Sequence, residues 1–119
     1  MAAKFTELIV DAADPDALAT FWSAVLDWPR LRAEGDAIEI GNPDRSLPTL
    51  VFVPVDDPKV VKNRVHIDVN PTGNVQAEEL ERLLALGATH VDVGQGEQSW
   101  VVLADPEGNE FCLLRSRRD

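Results

Sequence analysis

Only one cysteine, Cys112, occurs in the 119-residue chain, so no internal disulfide can form, and a lone thiol suits a reducing, cytoplasmic setting. Basic residues are also scarce: 11 Lys and Arg face 21 Asp and Glu, for a formal charge of −10. Affinity for nucleic acid comes from cations that displace counterions from phosphates, and this acidic excess opposes it. No apolar run approaches the roughly 20 residues that cross a bilayer, and the opening MAAKFTEL lacks the apolar core of a secretion signal. Neither nucleic acid nor membrane is therefore expected as a partner.

What is present is ordinary for one globular domain, 45% hydrophobic and 27% charged. A chain of this size buries about two-thirds of its unfolded surface, so its core needs no metal or disulfide to hold it. Two local groups of cations interrupt the acidic background, Lys59, Lys62 and Arg64, and Arg115, Arg117 and Arg118. Both read first as solvated surface, with anion binding as the alternative.

The first strong pattern is LIVDAADPDALATFWSAVLDWP. A short apolar run gives way to a helix, with Asp14 as N-cap, Pro15 as first helical residue and Pro29 as the stop. Leu18, Phe21, Trp22, Val25 and Leu26 make one apolar stripe at helical spacing, which needs a sheet to cover. Three strand-like segments follow, at Arg30–Ala33, Ala37–Ile40 and Thr49–Val55. After a link containing Pro58 the order recurs. NRVHIDV reads as a strand; a helix with Ala77, Leu80, Leu83 and Leu84 on one stripe ends at Gly87; THVDV, SWVVLA and EFCLL read as three more strands. The chain thus reads as two βαβββ modules, residues 1–57 and 62–119, offset by about 60 residues so that Glu7 falls opposite His66.

Strand parity sorts each strand into two faces. Leu8 and Val10 oppose Glu7, Ile9 and Asp11; Val65, Ile67 and Val69 oppose Arg64, His66 and Asp68; Trp100, Val102 and Ala104 share a face, as do Glu110, Cys112 and Leu114. The apolar faces carry the helices. The mixed faces turn either to plain solvent or, as is typical of a small-molecule pocket, to a ligand.

These residues resemble the vicinal oxygen chelate superfamily, in particular its small glyoxalase-like proteins related to bleomycin-resistance proteins and extradiol dioxygenases. ELIVDAADPDALATFW, KNRVHIDV and LGATHVDVGQGEQSWVVLADPEGNEFCLL carry the resemblance, in that order and across nearly the whole chain. It implies an α+β fold whose two βαβββ modules form a curved, cup-shaped mixed sheet with helices on the outer face, commonly in homodimers. In many members a divalent metal sits in the cup, held by residues of the first and last strands of each module. Glu7 and His66 match two of those positions, and zinc, manganese, nickel and iron all accept such ligands. The last-strand position, usually Glu, is Cys112 here, with Glu110 two residues earlier on the same face; TLVFVPV offers no ligand at all. The incomplete set weighs toward no resident metal.

The expectation is therefore a protein that holds a small organic molecule beside Glu7 and His66, the catalytic and metal-ligating candidates, with Trp100, Cys112 and Glu110 as ligand-binding residues. If it is an enzyme, metal-assisted lyase, isomerase or dioxygenase chemistry is the class, with Glu7 as ligand or base and His66 as ligand. The alternative is a metal-free protein that sequesters a drug or metabolite. Trp22 belongs to the helix stripe, Trp28 to core or interface, and Trp100 either to the core or to an aromatic wall for a planar ligand. His66 has a structural reading too, as an imidazole bonded to Asp68, and Cys112 one as a small, inert core residue. His90, Asp92 and Ser99 do not form a hydrolase triad, because no nucleophile elbow surrounds Ser99. DPEGN is a turn.

Overall fold

The computed structural model describes residues 1–119. The chain divides into two compact units, Met1–Pro58 and Lys59–Asp119. The first contains β1 (Glu7–Ala12), α1 (Pro15–Leu26), β2 (Arg30–Glu34), β3 (Ala37–Ile40) and β4 (Thr49–Pro54). The second contains β5 (Ile67–Val69), α2 (Gln76–Leu86), β6 (Thr89–His90), β7 (Val101–Ala104) and β8 (Glu110–Leu113). Strand order is β1-β4-β3-β2 in one and β5-β8-β7-β6 in the other, so both are βαβββ modules with the same topology. In each, the first strand runs parallel to the last and the other pairs are antiparallel. The helix between first and second strands provides the long crossover that this arrangement requires. Both sheets are open and uncurled, so neither module forms a concavity by closing on itself.

In the first unit the capping signals act as expected at one end of α1 and not at the other. Asp14 accepts from the Ala17 N–H at 3.1 Å, and Pro15 occupies the first turn. The helix does not run up to Pro29: Asp27 takes a left-handed conformation, φ 55°, and the Trp28 N–H returns to the Ser23 carbonyl at 3.1 Å. Leu18, Phe21, Trp22 and Val25 are buried, the two rings meeting edge-on at 5.4 Å, while Leu26 is only half-buried. The registers place Leu8 and Val10 beside Leu50 and Phe52, and these beside Ile40 and Ile38. That apolar face meets α1. The opposite face carries Glu7, Thr49, Val51 and Glu39.

The second unit repeats the plan with shorter strands. Phe111, Leu113, Leu103 and Leu83 form its buried centre, each at most 1% exposed. Gly87 caps α2 at φ 120°, a backbone angle that a side chain would strain. The expected α2 stripe is offset: Ala77 is exposed, whereas Glu79 is buried at 7% exposure because Arg82 and Asn74 both donate to its carboxylate. The tight turn between β7 and β8 is held by Asp105, whose carboxylate accepts from the backbone of Glu107 and Asn109.

Three expected strands are shortened. β5 begins at Ile67, so Asn63–His66 lies outside the sheet. Its register with β8 would set residue 65 against 109, which still belongs to the turn, so a β5 extended to Val65 would lack a partner there. β6 stops at His90, where the Gln95 side chain and the Asp92 carboxylate take the backbone N–H groups of Val93 and Gly94. β7 starts at Val101, which leaves Trp100 in the bend that precedes it.

Candidate functional site

On the face of the second sheet that points away from its buried centre, the β5–β8 register sets Asp68 directly against Cys112. His66, one residue ahead of β5, turns its Nε2 to within 3.2 Å of an Asp68 carboxylate oxygen. One donor atom from each of His66, Asp68 and Cys112 lies within 4.8 Å of the other two. His66 and Asp68 are both 47% exposed at their side chains, and Cys112 is buried at 7%. A nitrogen, an oxygen and a sulfur thus converge on one spot that solvent reaches from one side.

The electrostatics of Cys112 define what this set lacks. Burial pushes its thiol pKa up, the negative charge of Asp68 pushes it further the same way, and Lys62 opposes them. The thiol is therefore protonated at neutral pH. A bound cation would reverse both dominant effects, since it favours thiolate over thiol and offsets the charge of Asp68. Three mixed donors with an open side match the needs of a catalytic zinc-type ion. The residues present therefore fit a divalent metal.

The other predicted residues are placed differently. Glu110 lies on the same face but outside the cluster, and its carboxylate is fully engaged: Lys59 Nζ donates to one oxygen at 2.9 Å and the Asn63 N–H to the other at 3.1 Å. Those bonds hold its pKa below the usual carboxylate value against the opposing effect of burial. Trp100 is 38% exposed in its bend. Glu7 stands exposed at the start of β1, opposite Thr49, in the first unit, while His66 belongs to the second. From the sequence, Asp68 is only a hydrogen-bond neighbour of His66. Its two-residue spacing from His66 and shared parity are the signal that marks it as a third donor.

The first unit holds a polar cluster that the sequence did not announce. Glu39, 5% exposed, accepts from both terminal nitrogens of Arg45, at 3.1 and 2.9 Å, and from the Thr49 hydroxyl at 2.7 Å. Arg45, then Thr49, lower the Glu39 pKa. Arg45 sits in the left-handed region at φ 56°, so this ion pair fixes the β3–β4 loop in a conformation its backbone does not favour.

A family model described as a glyoxalase-like domain matches residues 7–114. The chain belongs to the glyoxalase-like domain family. Its similarity to solved structures extends over nearly its full length at low identity. A fosfomycin resistance protein, FosX, from Listeria monocytogenes, solved with Mn(II) and 1S,2S-dihydroxypropylphosphonic acid, is 14% identical with a TM-score of 0.75, covering 98% of this chain and 94% of that one. A glyoxalase/bleomycin resistance protein/dioxygenase family enzyme from Burkholderia phytofirmans is 15% identical with a TM-score of 0.69, covering 93% and 97%. A hypothetical protein from S. aureus is 15% identical with a TM-score of 0.71, covering 98% and 96%. At such identity these likenesses concern the fold. Among curated protein sequences there is no match. No helix is long and apolar enough to cross a membrane.

Proposed function

We propose that this glyoxalase-like protein binds a small organic molecule at the His66, Asp68 and Cys112 cluster, and that these three residues hold a divalent cation for metal-assisted lyase, isomerase or dioxygenase chemistry. The observation that carries the reading is the convergence of three different donor atoms within 4.8 Å on the face away from the core. A cation there would polarise oxygen atoms of the bound molecule. The chain's own contributions are distinct. Cys112 anchors from the buried side, Asp68 and His66 close the exposed side, and Trp100 offers an aromatic surface to an apolar part of the ligand. Glu7 stands outside this donor set. A thiolate among the donors favours zinc over manganese. The reading also places the protein in a reducing compartment, where Cys112 stays free.

A second reading, a metal-free protein that sequesters its ligand, is favoured by two observations: burial and the Asp68 charge keep the Cys112 thiol protonated, and Glu110 is already bonded through both oxygens. Elemental analysis after reloading with zinc separates the two. Near-stoichiometric zinc in the wild type, lost in His66→Ala and in Asp68→Ala, supports the metal site. Zinc uptake that is absent, or unchanged in both variants, refutes it.

A further inference from the structure

The connector that leads into β5 differs from the rest of the surface. Residues 59–66 read KVVKNRVH, three cations in a chain of formal charge −10. Glu110 pins this segment at two points, through Lys59 Nζ and the Asn63 backbone. Lys59 is occupied by that pair, which is largely shielded, with side-chain exposures of 21% and 11%. Lys62 and Arg64, on either side of the Asn63 anchor, stay exposed. The Lys62 ammonium makes one long bond, 3.3 Å, to the neighbouring Asn63 carbonyl, and its charge is felt at the Cys112 thiol. Arg64 is followed two residues later by His66. The same strip exposes Val60, Val61 and Val65 by 84%, 76% and 74%.

We propose that Lys62 and Arg64 form an anion-binding site that docks the carboxylate of a small organic acid beside His66, Asp68 and Cys112. The inference rests on the reading that those three residues are the reactive centre. A strongly acidic protein gains nothing from long-range attraction for an organic anion, and exposed charges are screened beyond about 8 Å at physiological salt, so local cations must do the binding. Arg64 supplies a planar fork for two carboxylate oxygens, and Lys62 a point charge. The hold of Glu110 orders the connector in advance, so less ordering opposes binding. The exposed valines beside the two cations offer apolar surface to the hydrocarbon part of the acid.

The test is an NMR titration of the intact protein with butyrate, and with butyramide as a neutral analogue of the same size. Butyrate is expected to shift the amide signals of residues 62–67 and Cys112, with an affinity that falls as salt rises, and butyramide is expected to leave them unmoved. The Lys62→Ala/Arg64→Ala double variant should weaken butyrate binding at least about tenfold, the ratio that corresponds to one charge-assisted contact. Lys62→Arg alone, which keeps both charges and the Arg64 fork, should retain it. Butyrate shifts scattered over the surface, matched by butyramide or unchanged in the double alanine variant would overturn the proposal. Zinc uptake measured on the same samples keeps the two readings apart. Zinc binding without a butyrate response refutes the anion site alone, whereas a Lys62- and Arg64-dependent butyrate response without zinc supports the anion site and refutes the metal.

Discussion

Replacing Glu39 by Gln tests whether a buried carboxylate holds the first unit's β3–β4 loop in place. Three hydrogen bonds meet at Glu39, two from Arg45 and one from Thr49. The Arg45 side chain is 53% exposed, so water competes for its share, whereas the Thr49 hydroxyl, on a residue 2% exposed, has no alternative partner. Gln keeps an acceptor for Thr49 but turns its amide N–H groups toward the Arg45 donors. Loss of the charged acceptor in this setting should cost about 2 kcal/mol at pH 7. With a urea dependence of about 1–3 kcal/mol per molar, the midpoint should fall by roughly 1 M. In a Trp100→Phe background tryptophan fluorescence follows the first unit, which holds Trp28 and the core residue Trp22, 3% exposed.

The sign of the pH dependence follows from the lowered pKa of Glu39. A depressed carboxylate contributes stability that is fully present above its ordinary pKa and is lost as pH falls through the lowered folded value. The gap between wild type and Glu39→Gln should therefore be widest at neutral pH and close progressively below the ordinary carboxylate range. A variant as stable as wild type at pH 7, or a gap that stays constant into acid, would refute the ion pair as the loop's anchor.

Two further predictions concern the packing and the thiol. Gly41→Ala should destabilise the same unit by about 2 kcal/mol in urea unfolding, because overfilled sites relax poorly, and a Cβ there would lie 2.6 Å from the Thr49 methyl, itself fixed by Glu39. Wild-type stability in that variant would show that Thr49 can move. Cys112 should react slowly with Ellman's reagent at pH 8 in the folded protein, and Asp68→Asn should react faster, since removing that carboxylate's charge lowers the thiol pKa. Equal rates would mean that Asp68 does not act on the thiol.

Much of the fold was legible because local and long-range signals agree. Asp14, Pro15 and the Leu18, Phe21, Trp22 and Val25 stripe specify α1 before any partner is known, and the recurrence of strand, helix and three strands specifies two modules. What parity could not reveal was where pairing ends. Val65 and His66 alternate like strand residues, yet the turn made by Asp105 and Asn109 leaves β8 nothing to offer opposite Val65. Val93 and Gly94 likewise have strand-like neighbours, but nearby side chains claim their N–H groups. The burial of Glu79 depends on Arg82 and Asn74 together, and that of Glu39 on Arg45 across a loop, so neither follows from a single-residue pattern.

The candidate donor cluster was legible in the same partial way. His66 and Cys112 stood out by residue type and position, and Glu110 by charge. Only the register, which sets Asp68 against Cys112, and the two bonds that commit Glu110 elsewhere decide which carboxylate joins the cluster. Glu7 corresponds to His66 through the repeat, by position in the sequence, and the two belong to different units.

Cobalt(II) titration of the purified protein, followed by absorption, reads the His66, Asp68 and Cys112 cluster itself, because thiolate-to-metal charge transfer reports Cys112 as a ligand while the visible bands report the coordination number. One equivalent of cobalt with a thiolate charge-transfer band is expected in the wild type, no such band in Cys112→Ser, and at least about tenfold weaker binding, on the order of one lost ligand, in His66→Ala and Asp68→Ala. Saturation without a thiolate band, or the same affinity in all three variants, would contradict the metal site.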